Sequence, residues 1–185
     1  MRILAASGRH PGGIRARLLP SRARRPRYAR SSVLVTMELS RVLILDSSPE
    51  QFITLTERDP AGAAPRSFAI KIGTAEAMAI ERRLQGHEPP RPQTHDLLDN
   101  VIRLLGGELV KVVIHRLDQG TYFASLLIRQ GMDVVDVDAR PSDAIALSVA
   151  HRIPIEVAEE VLEESAEERP DVEPPIETGE DDDDD

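Results

Sequence analysis

A run of ten residues, Asp138-Ala139-Arg140-Pro141-Ser142-Asp143-Ala144-Ile145-Ala146-Leu147, sets two carboxylates, a guanidinium and a hydroxyl ahead of an apolar stretch. The chemistry open to such a group is that of phosphate. Free backbone N–H groups at a helix start bind phosphate oxygens, and Arg140 can add a bidentate contact beside Ser142. Asp138 and Asp143 can hold a hard divalent cation, Mg or Mn, through oxygen ligands. Such an ion offsets phosphate charge and lowers the pKa of its bound water. A purely structural explanation uses the same side chains. Ser142 then caps the helix, Asp143 complements its dipole, and Arg140 pairs with Asp138.

A second group is Arg91-Pro92-Gln93-Thr94-His95-Asp96-Leu97-Leu98. Three prolines between Glu88 and Gln93 stiffen the loop that delivers Thr94, His95 and Asp96 into the first turn of a helix. Here too there are two readings. Thr94 caps and Asp96 complements the dipole, or His95 serves as a general acid or base. Glu76 is the third candidate. With Gly73 as N-cap it falls at the third helical position, where a glutamate can reach back to the cap N–H. His115 alternates with core positions on a strand and reads as a structural histidine.

The elements that carry these groups follow from periodicity and turn residues. Arg41–Leu45, Gln51–Thr56 and Ser67–Ile72 read as strands, followed by a helix from Thr74 to Leu84. A helix over His95–Leu105 has its apolar residues Leu98, Val101, Ile102 and Leu105 at three- and four-residue spacing. Glu108–Arg116, Thr121–Ile128 and Met132–Val137 form an antiparallel meander. The helix Asp143–His151 is apolar nearly all round, Ile153–Val157 is an extended bridge, and Ala158–Ala166 is a last helix. Strands in groups with helices between them indicate an α+β fold.

Composition sets further bounds. There is no cysteine, so disulfides and thiolate metal sites are excluded. No apolar run approaches the ~18 residues that a membrane-spanning helix needs. The formal charge of −9 is unevenly spread. Residues 1–36 hold nine arginines and no acid, residues 37–155 sum to −3, and residues 156–185 sum to −15. The first 36 residues read as a basic disordered arm, as an organellar import segment, or as sequence upstream of a true start at Met37. The domain then covers 37–166, with a disordered acidic tail over 167–185. The expected location is the cytoplasm, or an organelle if the arm is an import segment.

Three blocks in order resemble one family. Ile72-Gly73-Thr74-Ala75-Glu76-Ala77-Met78-Ala79-Ile80, Pro89-Pro90-Arg91-Pro92-Gln93-Thr94-His95-Asp96-Leu97-Leu98 and Asp138–Leu147 are similar to motifs of the bifunctional nuclease domain family. The match runs from about Met37 to Ser165, and Ala158–Leu162 resembles the family's closing helix. Lys71 departs from the pattern, standing where the family commonly has Trp. The resemblance implies a single α+β domain with a curled, barrel-like, mainly antiparallel sheet, three to four helices, and a homodimer. It also implies hydrolysis of RNA and DNA, with Glu76, His95, Asp96, Asp138 and Asp143 as candidate catalytic residues. Arg91, Thr94, Arg140 and Ser142 are then candidate substrate contacts. Two features oppose a polyanionic substrate: the slightly negative core, and the lack of an aromatic strip on which bases could stack. The alternative is a noncatalytic domain of the same fold that binds an anion or a regulatory partner.

Overall fold

Alternation decides where the strands lie. In the computed structural model, which describes residues 33–46 and 48–167, Gln51, Ile53 and Leu55 are buried on one face of a strand. Phe68, Ile70 and Ile72 do the same on its neighbour. The strands are β1 (Leu34–Leu43), β2 (Glu50–Glu57), β3 (Ser67–Gly73), β4 (Gly107–Asp118), β5 (Thr121–Gln130), β6 (Asp133–Ala139) and β7 (Ile155–Ala158). The helices are α1 (Thr74–Leu84), α2 (Thr94–Leu104), α3 (Pro141–His151) and α4 (Glu159–Glu167).

The seven strands form one sheet in the order β3-β2-β1-β7-β4-β5-β6. Every neighbouring pair is antiparallel except β4 with β7. Register shifts in β1, at Leu39/Arg41, and in β4, at Leu109/Lys111 and Ile114/Arg116, add twist and bend the sheet. The sheet nevertheless stays open, with β3 and β6 as its two edges, so it is no closed barrel. One continuous core joins Ile53, Leu55, Phe68, Ile70, Ile80, Val112, Ile114, Ile145, Leu147, Val157 and Val161. α1 packs on α3, and α3 also packs on β4 and β5.

Two elements differ from the sequence expectation. The bridge at Ile153–Val157 contains β7, a central strand that pairs with β1 on one side and β4 on the other. Four residues after a proline carry too little pattern to reveal long-range pairing. β1 begins at Leu34, and Leu34, Val35 and Thr36 pair with Ala158, Val157 and Glu156. The strand therefore crosses the expected boundary between residues 36 and 37. Of the expected basic arm only 33–36 are described, and of the acidic tail only Glu167; the rest lies outside the described residues.

These pairings give a direct expectation. A chain that starts at Met37 loses three β1–β7 register pairs and the bond from the Glu159 N–H to the Val33 carbonyl. At about 1 kcal/mol per lost hydrogen bond, its melting temperature should fall by roughly 5 °C or more. Equal melting of the two chains by circular dichroism would show that this pairing contributes nothing.

Candidate functional site

Three of the helices start with the same arrangement: a non-helical cap, then a carboxylate at the third helical position. The caps are Gly73, Gln93 and Arg140, and the carboxylates are Glu76, Asp96 and Asp143. An acid there faces the positive end of the helix dipole and the unpaired N–H groups of the first turn. A Cβ on Gly73 would fall 2.5 Å from Oε2 of Glu76, so a larger residue there would make the Glu76 carboxylate swing away from its present place. Pro141 occupies the first helical position of α3, where its fixed φ fits and its missing N–H costs nothing. That moves the cap back to Arg140, so Ser142 is not the cap and is instead buried in the first turn. Likewise Gln93 caps α2 and Thr94 is its first helical residue. Asp96 accepts the Gln93 N–H at 2.9 Å, closing a capping box.

Arg140 reaches Asp143 and Glu76. Its Nε donates to Oδ2 of Asp143 at 2.8 Å, its Nη2 to Oδ1 of Asp143 at 3.1 Å, and its Nη1 meets Oε1 of Glu76 at 2.9 Å. Nε2 of His95 lies 3.1 Å from Oδ1 of Asp143. A continuous chain Glu76–Arg140–Asp143–His95 thus joins the first turns of α1, α3 and α2. Its placement comes from the sheet. α1 leaves edge strand β3 and α3 leaves edge strand β6, so the Glu76–Arg140 link ties together the helices that emerge from the two edges.

The electrostatics follow from the contacts. Burial opposes ionisation of Asp143, but hydrogen bonds and charge from Arg140 and His95 outweigh it and hold the carboxyl below its ordinary value. The hydrogen bond to Asp143 and its charge, with a lesser share from Glu76, raise the pKa of Arg140 against the opposing effect of burial. An ionised Asp143 can only accept, so the Nε2–H of His95 donates to it, and in the neutral imidazole Nδ1 is then the acceptor nitrogen.

The remaining candidates are placed differently. Arg91 and Thr94 are exposed on and just after the proline loop. Asp138 lies within β6 opposite Ser125 and is exposed. Asp96 faces α1, where Arg82 and Arg83 bind it. As arranged, these residues do not fit a divalent cation. Both oxygens of Asp143 are engaged, a guanidinium stands between Asp143 and Glu76, and no three acids or histidines are grouped as ligands among the described residues. Sequence reading missed Arg82, Arg83, Asp99 and His151. Asp99 is the one buried residue of α2 and binds both His151 of α3, at 2.9 Å, and Arg103. These residues line a cleft of about 440 Å³ between the proline loop, α2 and the last turns of α1 and α3. Basic residues in a last helical turn are commonplace, as is an acid four residues before an arginine, so nothing marked them in advance.

The fold and site define an α+β domain with a charged centre where three helices begin. Residues 58–170 match the bifunctional nuclease domain, and the chain belongs to that family. Two uncharacterized proteins of Mycobacterium tuberculosis, one from each of two strains, are 44% identical to it over 94 residues. The matched segment is 51% of this chain and 56% of each relative, so the chain spans about half the length of the curated relatives it matches.

The depressed carboxyls predict an acid limb of stability. A folded-state pKa below the ordinary carboxylate value of 3.8 stabilises the fold above that value, and the contribution fades as pH falls through the lower one. Asp143→Asn should melt earlier than the parent at pH ~7, by roughly 1–3 kcal/mol, and lose less on acidification below pH ~4. Parallel pH profiles of melting temperature for the two chains would refute the link.

Proposed function

We propose that this protein hydrolyses phosphodiester bonds of RNA or DNA, with His95, Asp143, Arg140 and Glu76 as the working group. The observation that carries this is the position of Arg140. Capping and dipole effects account for Glu76, Asp96 and Asp143, but a cation at the N-cap of α3 opposes the dipole of its own helix. Arg140 is nevertheless held there by two carboxylates and leaves 64% of its side chain exposed. A guanidinium so placed presents donors to a phosphate, together with the free N–H groups of the first turn that includes Ser142.

The division of labour rests on the geometry. Arg140 binds the phosphate and stabilises charge on its oxygens in the transition state. Asp143 orients His95, whose Nδ1 takes a proton from the attacking water or sugar hydroxyl. Glu76 holds Arg140 from the α1 side. Arg91 and Thr94, exposed nearby in sequence, extend the substrate contact along the loop, and Asp138 borders the site from β6. We place the activity in the cytoplasm; among the described residues no helix is long and apolar enough to cross a membrane. A noncatalytic anion- or partner-binding role is the second reading; in its favour, the pairing of Arg140 with two acids accounts for the charged centre without a catalytic step.

The test uses the full chain with single-stranded RNA and DNA. Cleavage should fall about 100-fold or more in His95→Ala and Arg140→Ala, and should survive chelator, because the carboxylates are already engaged. Binding that persists without any cleavage in the parent chain would favour the second reading. Loss of cleavage on chelation would mean that a metal ion draws Asp143 away from Arg140.

We also propose a homodimer through α2. Leu97, Val101, Leu104 and Leu105 are exposed along this helix, Leu104 by 85%, with Met132 on the turn before β6. Together they expose several hundred Å², on the order of the ~800 Å² that each partner contributes to a standard interface. Val101→Asp combined with Leu104→Glu should sediment as a folded monomer where the parent sediments as a dimer. A monomeric parent would sink the idea.

A further inference from the structure

Asp96 comes directly after His95 in the first turn of α2 but faces away from the site, toward α1. Its carboxylate accepts two hydrogen bonds from Nη2 of Arg82, at 3.1 and 2.9 Å, and one from Nη2 of Arg83, at 2.6 Å. The Gln93 N–H supplies a fourth at 2.9 Å. Arg83 has a second partner: its Nη1 donates to the Ala146 carbonyl of α3 at 2.9 Å. One guanidinium from α1, its side chain only 5% exposed, therefore bridges α2 and α3. The residues it joins are neighbours of the site pair, since Asp96 adjoins His95 and Ala146 lies one turn after Asp143.

We infer that Arg83 is a positioning residue: by fixing Asp96 against the Ala146 carbonyl, it sets where His95 stands relative to Asp143. The kinetic consequence rests on the hydrolase reading above; the geometric one does not. Asp99 is the one fully buried residue of α2, and of its apolar residues only Ile102 is even half-buried, so apolar packing does little to fix its rotation about its own axis. Directional contacts must do so, and the Arg83 fork supplies one that reaches both other helices. A stabilising role alone explains the arrangement poorly. Buried ion pairs contribute little net stability against desolvation, and here Nε of both Arg82 and Arg83 is enclosed without a partner. Lysine cannot take over the task, because one ammonium lacks the planar fork that meets two acceptors in fixed directions.

The test is the imidazole nitrogen spectrum of the ¹⁵N-labelled full chain, with Asp143→Ala, which leaves His95 no acceptor there, as the reference for a broken His95–Asp143 link. Arg83→Lys should move the His95 resonances toward that reference while His115 stays in place. Arg82→Lys, which loses a contact to Asp96 but has no tie to α3, should move them less. In cleavage assays Arg83→Lys should lower kcat about 10-fold or more with KM within about twofold. If Arg83→Lys does not fold, Asp96→Asn, with nearly the same shape, takes its place. Wild-type His95 resonances in whichever variant folds, or failure of both to fold, would mark a stability brace alone and overturn the proposal. If the parent chain cleaves nothing, the hydrolase reading falls, and the His95 spectra still decide this one.

Discussion

The side-chain polar ties of α2 to the other helices run through its acids and one imidazole. Asp96 binds Arg82 and Arg83, Asp99 binds His151, and His95 binds Asp143. Apolar burial is non-directional and would leave the helix free to settle on its leucine stripe. Charge-assisted hydrogen bonds are directional, and they select the opposite rotation. With the acids turned inward, Leu97, Val101 and Leu104 must face outward, and His95 must face the first turn of α3. The exposed stripe and the assembled site are thus two consequences of one choice of rotation.

The open sheet supplies the other half of the geometry. β3 and β6 lie at opposite ends of the strand order, yet α1 and α3, which succeed them directly in the chain, pack against each other. The bulges in β1 and β4 increase curl enough to bring the two exits together without closing the ladder. Glu76 and Arg140 then meet across a gap that hydrogen bonding between strands leaves open. A site built at such a seam draws residues from segments far apart in sequence, which is why no single motif contains it.

Much of the fold was legible because it is written locally. Ile53 and Leu55, or Phe68, Ile70 and Ile72, alternate with polar residues, and period-two burial leaves little choice. β7 was not legible: its four residues gain their meaning from partners more than 40 positions before them in β4 and more than 110 before them in β1. The 3-4 spacing in α2 showed a helix correctly but gave no sign that its apolar side faces outward, since pattern reports a stripe and not what covers it. In the site, residue types were legible and pairings were not. Asp138 and Asp143 are both near Arg140 in sequence, yet the proline at the first helical position swings Arg140 into the cap, where Asp143 and Glu76 are within reach. Which helix start approaches which is decided by the curl of the sheet, and that is a property of the whole chain.

If the site takes a phosphate, as proposed, its charge balance constrains how the anion enters. Glu76, Arg140 and Asp143 sum to −1, which by itself repels a phosphodiester. Three helix starts converge there, each worth about half a positive charge, and they offset much of that repulsion. On the proposed reading binding is then an exchange: a phosphate oxygen takes over donors of Arg140 from one carboxylate, and the displaced acid turns to the N–H groups at its own helix start. Glu76 is the better leaving partner, since it meets Arg140 through one contact whereas Asp143 holds it by two and also holds His95. Such an exchange would keep the Asp143–His95 pair intact while freeing the guanidinium, so the proposed proton acceptor would stay aligned as the anion arrives.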